Sequence, residues 1–79
     1  MPTVLREGRL RVVIYTDDHP PPHVHVFADG ETKIALIGRD GEAELVRVVG
    51  ASLREARRAL QIVREKRDYL LQRWNDIHG

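Results

Sequence analysis

The sequence predicts an α+β domain in which an antiparallel β-meander of three to four strands carries one long C-terminal α-helix packed on one face. Two observations predict this class. Segments rich in β-branched residues alternate between apolar and polar positions up to about residue 49, and glycines separate them. Residues 53–78 instead repeat apolar residues at spacings of three and four, without proline or glycine. A length of 79 residues allows one domain, residues 1–79.

Four segments are candidate strands, namely residues 9–16, 23–28, 32–37 and 43–49. Because strand side chains alternate between the two faces of a sheet, His23 and His25 share one face of the second segment. Asp29-Gly30 is typical of a hairpin turn, so the second and third segments are expected to pair. Whether residues 43–49 form a true fourth strand stays open.

The last segment is predicted to be one helix of about 26 residues that begins at a capping box, Ser52-Leu-Arg-Glu55. Such a helix spans roughly 39 Å, whereas strands of six residues span about 20 Å. We therefore expect its end to overhang the sheet unless it crosses diagonally or packs on residues 1–5. Its last turns carry Tyr69 and Trp74, and further apolar residues are expected on the outer face of the sheet. This apolar surface predicts a protein partner or a homo-oligomer.

Composition excludes several classes of protein. The chain has no cysteine, so disulfides and thiolate metal ligands are excluded. No apolar run approaches the roughly 20 residues of a membrane helix and no signal peptide is recognisable, so we expect a cytoplasmic protein without membrane contact. The net charge of +1 argues against strong nucleic-acid binding by the whole domain. Residues 52–79 nevertheless carry seven basic and four acidic side chains, a local charge of +3, so contact with RNA or DNA stays open.

The conspicuous chemical feature is a histidine cluster, His19-Pro-Pro-Pro-His23-Val-His25. Paired imidazoles can act as general acid and base, for example on RNA, so His23 and His25 are candidate catalytic residues. Alternatively, His19, His23 and His25, or two of them with a nearby aspartate, can bind a divalent metal such as zinc and leave one coordination position open. The remaining alternative is a pair of surface histidines beside a turn shaped by prolines. Whether the protein is an enzyme, and which cofactor it uses, stay open.

A second candidate site is a basic face of the predicted helix, which consists of Arg54, Arg57, Arg58 and Arg64. Arginines in the first turns oppose the helix dipole and repel each other, so stability alone does not favour them. A binding surface for phosphate or for an acidic partner would explain them, with Tyr69 and Trp74 as further binding residues near the helix end. The alternative is an ordinary solvated face.

Several motifs mark the chain: the start Met1-Pro-Thr-Val-Leu-Arg, Tyr15 at a strand end, Asp18-His19, Pro21-Pro-His-Val-His-Val, Ser52-x-x-Glu55 and Trp74-Asn75. Together they resemble, over essentially the whole chain, a family of small bacterial proteins called domain of unknown function 4160. The resemblance implies shared positions at His19, Pro21, Pro22, His23 and His25. Members are often encoded beside toxin–antitoxin-like genes, which implies a toxin–antitoxin-type partner-binding module or a small ribonuclease-like toxin. The third proline and the regular stretch at residues 42–49 depart from the family pattern.

Overall fold

A computed structural model describes residues 3–79 and confirms the α+β class. One antiparallel sheet contains five strands in chain order, so each strand pairs with its neighbours in the sequence. Two helices follow the sheet. The elements are β1 (Thr3–Glu7), β2 (Leu10–Val13), β3 (His23–Phe27), β4 (Glu31–Ala35), β5 (Glu44–Val49), α1 (Leu53–Glu65) and α2 (Arg67–His78). Residues 1 and 2, which belong to the start motif, lie outside the described residues.

The prediction of three to four strands is wrong, because the start of the chain forms an additional strand, β1. It pairs with β2 through a tight turn at Gly8, whose φ of 58° lies in the left-handed region that glycine tolerates. The strand predicted at residues 9–16 ends earlier, at Val13, where the chain leaves the sheet and begins the connection to β3. Residues 43–49 do contain a strand, β5, so the fourth predicted strand is confirmed.

The core lies between one face of the sheet and the two helices. Paired residues on neighbouring strands share a face, and Val26 pairs with Val12 and with Thr32 in a row that is buried throughout. The largest fully buried side chains are mostly branched and aliphatic: Ile14, Ile34, Leu36, Ile62, Leu70, Val12, Val13, Val24, Val26, Val63 and Thr32. We call the opposite side, which His23, His25 and Phe27 share, the outer face of the sheet.

The prediction of one long helix is wrong, because the helix breaks at Lys66, whose φ and ψ are −108° and 17°. The next residue is Arg67. Its guanidinium donates hydrogen bonds to the carbonyl oxygens of Leu36 at 2.7 Å and Gly41 at 2.8 Å. α2 begins directly after this break, and its Trp74 is buried within the chain. Among residues 3–79, neither helix has the length and apolar sequence needed to span a membrane.

The hairpin between β3 and β4 is confirmed, and it is tied to the start of α1. A Cβ atom on Gly30 would lie 2.2 Å from the backbone carbon of Gly50, so only glycine permits this approach. The Ser52 hydroxyl accepts a hydrogen bond from the Glu55 amide, as the capping box predicts. The Glu55 carboxylate does not return to Ser52 but accepts from the amides of Asp29 and Gly30, at 3.1 and 3.2 Å. The helix start and the hairpin therefore hold each other in place.

Candidate metal site at the start of strand β3

The connection between β2 and β3, residues 14–22, supplies one side of the candidate site. Its first turn is closed by two hydrogen bonds: the Asp18 amide donates to the Tyr15 carbonyl at 3.2 Å, and the Tyr15 amide donates to the Asp18 carboxylate at 3.1 Å. This pair of bonds fixes the Asp18 side chain, of which 15% is exposed. At the end of the connection, the Pro22 carbonyl accepts from the Leu36 amide at 2.9 Å and anchors the chain to the sheet.

Strand β3 supplies the other side of the site. His23 and His25 share the outer face, as the alternation predicts, but they are buried, with 8% and 7% of their surfaces exposed. The Tyr15 ring meets the His25 ring edge-on at a centroid distance of 4.9 Å. The Trp74 ring packs on the His23 ring at 5.3 Å, so α2 also contributes to this burial. These contacts contradict the alternative of two ordinary surface histidines.

Hydrogen bonds at Nδ1 determine which nitrogen of each neutral ring carries the proton. His23 Nδ1 lies 3.0 Å from the Pro21 carbonyl oxygen, which can only accept, so Nδ1 donates. His25 Nδ1 lies 2.7 Å from Oε2 of Glu31, and an ionised carboxylate likewise only accepts. When the rings are neutral, the lone pair of each is therefore on Nε2. A carbonyl or carboxylate behind the far nitrogen is the usual support of a metal-binding histidine.

Both Nε2 atoms face the same oxygen, Oδ2 of Asp18. The distances are 3.4 Å from His23 and 3.5 Å from His25, and one donor atom from each of the three residues lies within 4.8 Å of the other two. For tetrahedral zinc with ligand bonds of about 2.1 Å, neighbouring ligand atoms lie about 3.4 Å apart. The Nε2 atom of His25 is buried and has no hydrogen-bond partner among residues 3–79. The two Nε2–Oδ2 distances are thus close to the separation of neighbouring ligand atoms around one zinc ion.

The three donors open onto a cavity of about 410 Å³ on the outer face. The cavity combines the connection with residues of three strands, so a molecule in it would contact both the donors and the sheet. It is lined by Asp17, Asp18, His19, Pro20, Pro21, His23, His25, Lys33, Ala35 and Val46.

The sequence left two ligand sets open, and the structure brings the donor atoms of one of them close together. His19 is exposed and lines the cavity, but it is not part of the group of close donors. The aspartate alternative matches instead, with Asp18 beside His23 and His25. Glu31, which supports His25 from the neighbouring strand, was not identified from the sequence. The available signal was the pairing implied by the Asp29-Gly30 turn, which brings the start of β4 next to His25.

The structure does not bring the other predicted binding residues together into a site. Arg54, Arg57 and Arg58 are exposed, whereas Arg64 donates two hydrogen bonds to the Ala43 carbonyl at 3.3 and 3.2 Å. The Tyr69 hydroxyl donates to the Val4 carbonyl at 2.9 Å, although 46% of the residue is exposed. Trp74 is only 4% exposed and lies against His23. It belongs to the core of this chain, which removes one of the reasons for expecting a partner.

No curated protein and no solved structure matches this chain. A family model described as "Domain of unknown function (DUF4160)" matches residues 10–75. This range runs from the first residue of β2 almost to the end of α2, and it includes Asp18, His23, His25, Glu31 and Trp74. The chain belongs to this family, the domain of unknown function DUF4160.

Proposed function

We propose that this protein binds a divalent metal ion, with zinc as the best fit, through Asp18, His23 and His25. The observation that carries the proposal is the convergence of two histidine Nε2 atoms on one aspartate oxygen, at 3.4 and 3.5 Å. Imidazole and carboxylate donors at this spacing suit zinc, and three protein ligands leave a fourth position for water or a substrate. That position opens onto the cavity, so the bound ion can also act on a molecule there.

The Asp18 carboxylate and the two histidine Nε2 atoms together favour a bound cation. With both Nδ1 atoms engaged as donors, the Nε2 lone pairs and the Asp18 carboxylate present three negative or electron-rich atoms to one another. Such a group is unfavourable in a buried site unless a positive charge joins it, either a proton on one ring or a metal ion. A metal ion satisfies all three donors at once, whereas a proton on one ring satisfies only that ring and the carboxylate.

Isothermal titration with zinc at about pH 7.5 tests the proposal. We expect a one-to-one complex in the unaltered protein. Asp18→Asn and His25→Ala should each lower the affinity by more than the roughly 10- to 100-fold loss that is typical of supporting residues. The matched control is His19→Ala, which alters an exposed histidine of the same cavity and should leave the affinity unchanged. A loss in His19→Ala but not in Asp18→Asn would contradict the proposed ligand set.

The pH dependence of zinc binding provides a second test. Imidazole binds a metal ion only when it is neutral, so zinc affinity should fall sharply between about pH 7.5 and pH 5.5. If zinc does not bind at either pH, the metal proposal is wrong. Cleavage of RNA that resists chelator, depends on His23 and His25 and has a bell-shaped pH profile would then favour the acid–base alternative.

A second candidate function is binding to another protein surface, and exposed valines on β5 favour it. β5 is the last strand of the sheet, and Val46, Val48 and Val49 are 54%, 41% and 54% exposed. Identical edge strands can pair antiparallel about a two-fold axis, so the expected occupant is a second copy of the chain. Such pairing would agree with the partner-binding module that the family resemblance implies.

Light scattering at micromolar concentration tests this second candidate. We expect a dimer mass for the unaltered chain and a monomer mass for Val49→Lys, because a lysine on an edge strand opposes pairing. The matched control is Ile37→Lys, at an apolar residue that is 48% exposed but lies outside β5. A monomer mass of 9.1 kDa for the unaltered chain would contradict self-association.

A further inference from the structure

The outer face carries two cations beside the candidate metal site. His25 pairs with Lys33 on β4, and Lys33 pairs with Arg47 on β5, so the three side chains form one row across the strands. Strand spacing places Lys33 about 5 Å and Arg47 about 10 Å from His25 at the backbone. Lys33 also lines the cavity onto which the three metal donors open.

Neither cation is used to neutralise an acidic side chain. Within residues 3–79, the salt bridges involve other basic residues, and none includes Lys33 or Arg47. Lys33 is half-buried and Arg47 is exposed, so both can turn toward a ligand in or near the cavity. Charges at these distances act within a screening length of about 10 Å at moderate salt.

The sign of the charge around the cavity depends on the metal ion. Without a metal, the carboxylates of Asp17, Asp18 and Glu31 contribute −3 and the two cations contribute +2, so the local charge is −1 when the histidines are neutral. A divalent ion adds +2 and reverses the local charge to +1. Lys33 lines the same cavity as the three residues that would hold the ion. An anion is therefore opposed by the metal-free site and attracted by the loaded one.

From this row and its charges we infer that the metal-loaded site binds a phosphate group, with one phosphate oxygen on the metal ion and another accepting from Lys33. The inference rests on the proposed metal-binding function. Phosphate fits because it is a multivalent oxygen anion that can bridge a metal ion and an ammonium group over a few ångströms. Inorganic phosphate and the phosphodiester of a nucleic acid share this chemistry, and the experiment separates them.

The test uses the cobalt(II)-loaded protein, whose visible absorption reports changes in the coordination of the ion. Inorganic phosphate is titrated into the loaded protein and, by calorimetry, into the metal-free protein. We expect saturable spectral change in the loaded protein and much weaker phosphate binding in the metal-free protein. Because coupling between two ligands is reciprocal, phosphate should tighten cobalt binding by the same factor by which cobalt tightens phosphate binding.

Substitutions test whether phosphate binds at the row formed by His25, Lys33 and Arg47. Lys33→Met removes the charge but keeps the aliphatic stem, and it should lower the affinity for phosphate about five- to tenfold, since a charge-assisted hydrogen bond is lost at a half-exposed position. The cobalt affinity of each variant is measured in the same series, so that a loss of phosphate is not confused with a loss of metal. Arg54→Met is the matched control, because Arg54 is an exposed cation on α1 outside the cavity.

The possible results distinguish failure of the phosphate inference from failure of the metal proposal. Equal phosphate binding with and without metal, or a loss in Arg54→Met equal to that in Lys33→Met, would overturn the inference. Cobalt binding without any response to phosphate would overturn it and leave the metal proposal intact, whereas failure to bind cobalt or zinc would overturn both. A short single-stranded RNA that displaces phosphate in competition identifies a phosphodiester as the ligand. Failure of that RNA to compete, with phosphate bound, identifies free phosphate.

Discussion

The histidine site at the start of β3 and the arginine face of α1 are two polar regions with opposite structural character. His23 and His25 are buried, and each of their Nδ1 atoms has a fixed acceptor. Arg54 and Arg57, by contrast, are exposed, and their side chains make no hydrogen bond or salt bridge within residues 3–79. The histidines are positioned by residues from a loop, two strands and a helix, whereas Arg54 and Arg57 are positioned only by their own helix.

This difference supports the histidine site as the better candidate for binding chemistry. Burying polar rings costs free energy unless each polar atom finds a partner, and here a partner is arranged for every ring nitrogen except those that face Asp18. Exposed arginines carry no such cost, so their arrangement contains less information about function. The histidine site is therefore the better candidate, and substitutions in and around both regions test this conclusion.

Trp74→Ala should have the largest effect, because Trp74 links the histidine site to the core. Removing a buried aromatic side chain typically costs about 3–5 kcal/mol, which is a large part of the stability of a small domain. Urea unfolding followed by circular dichroism measures the change. Tyr69→Phe is the matched control in the same helix, since it removes only the hydrogen bond to the Val4 carbonyl and should cost about 1 kcal/mol. Equal effects of the two changes would contradict the burial of Trp74 in the monomer.

Glu31→Gln should weaken metal binding without unfolding the chain. The carboxylate accepts from His25 Nδ1 at 2.7 Å, and its loss lowers the electron density that Nε2 can donate. We expect zinc affinity to fall by about 10- to 100-fold. Glu44→Gln serves as the control, because Glu44 bonds to the backbone of Arg39 instead of to a histidine. Unchanged zinc affinity in Glu31→Gln would show that the hydrogen bond from His25 to Glu31 does not contribute to metal binding.

Ser52→Ala should lower stability by about 1 kcal/mol, because the hydroxyl caps the first turn of α1 at the Glu55 amide. The change lies between the two polar regions and touches neither, so zinc affinity should stay constant. Thermal unfolding and zinc titration of the same sample check both statements. Ser52→Thr is the control, since threonine retains the capping oxygen. A loss of zinc affinity in Ser52→Ala would show that the helix start and the histidine site are energetically coupled.

Arg54→Glu should have the smallest effect, and it should be stabilising. A negative charge in the first turn interacts favourably with the helix dipole, by about 0.3–1 kcal/mol at low salt. Chemical unfolding at low and high salt measures the gain, which should shrink as salt increases. Arg47→Glu is a useful contrast, because it also reverses an exposed arginine but lies on a strand and has no helix dipole to act on. A loss of stability in Arg54→Glu would indicate that the Arg54 side chain makes a stabilising contact.

Features that depend on neighbouring residues were determined by the sequence itself. The period-two alternation placed His23 and His25 on one face, Asp29-Gly30 specified the hairpin between β3 and β4, and Ser52 marked the start of α1. These features follow from local backbone geometry, since strand alternation, turn conformation and helix capping each involve residues no more than a few positions apart.

Features that depend on contacts between distant segments were decided by the tertiary structure. The helix ends at Lys66 because Arg67 is held by carbonyls of Leu36 and Gly41, 31 and 26 positions away in the chain. Asp18, rather than His19, lies beside the two histidine Nε2 atoms because the turn at Tyr15 directs its carboxylate toward β3. The periodicity of the sequence does not predict these contacts between distant residues. They arise only when the sheet, the connection and the helices pack together, and this packing turns two same-face histidines into a buried site.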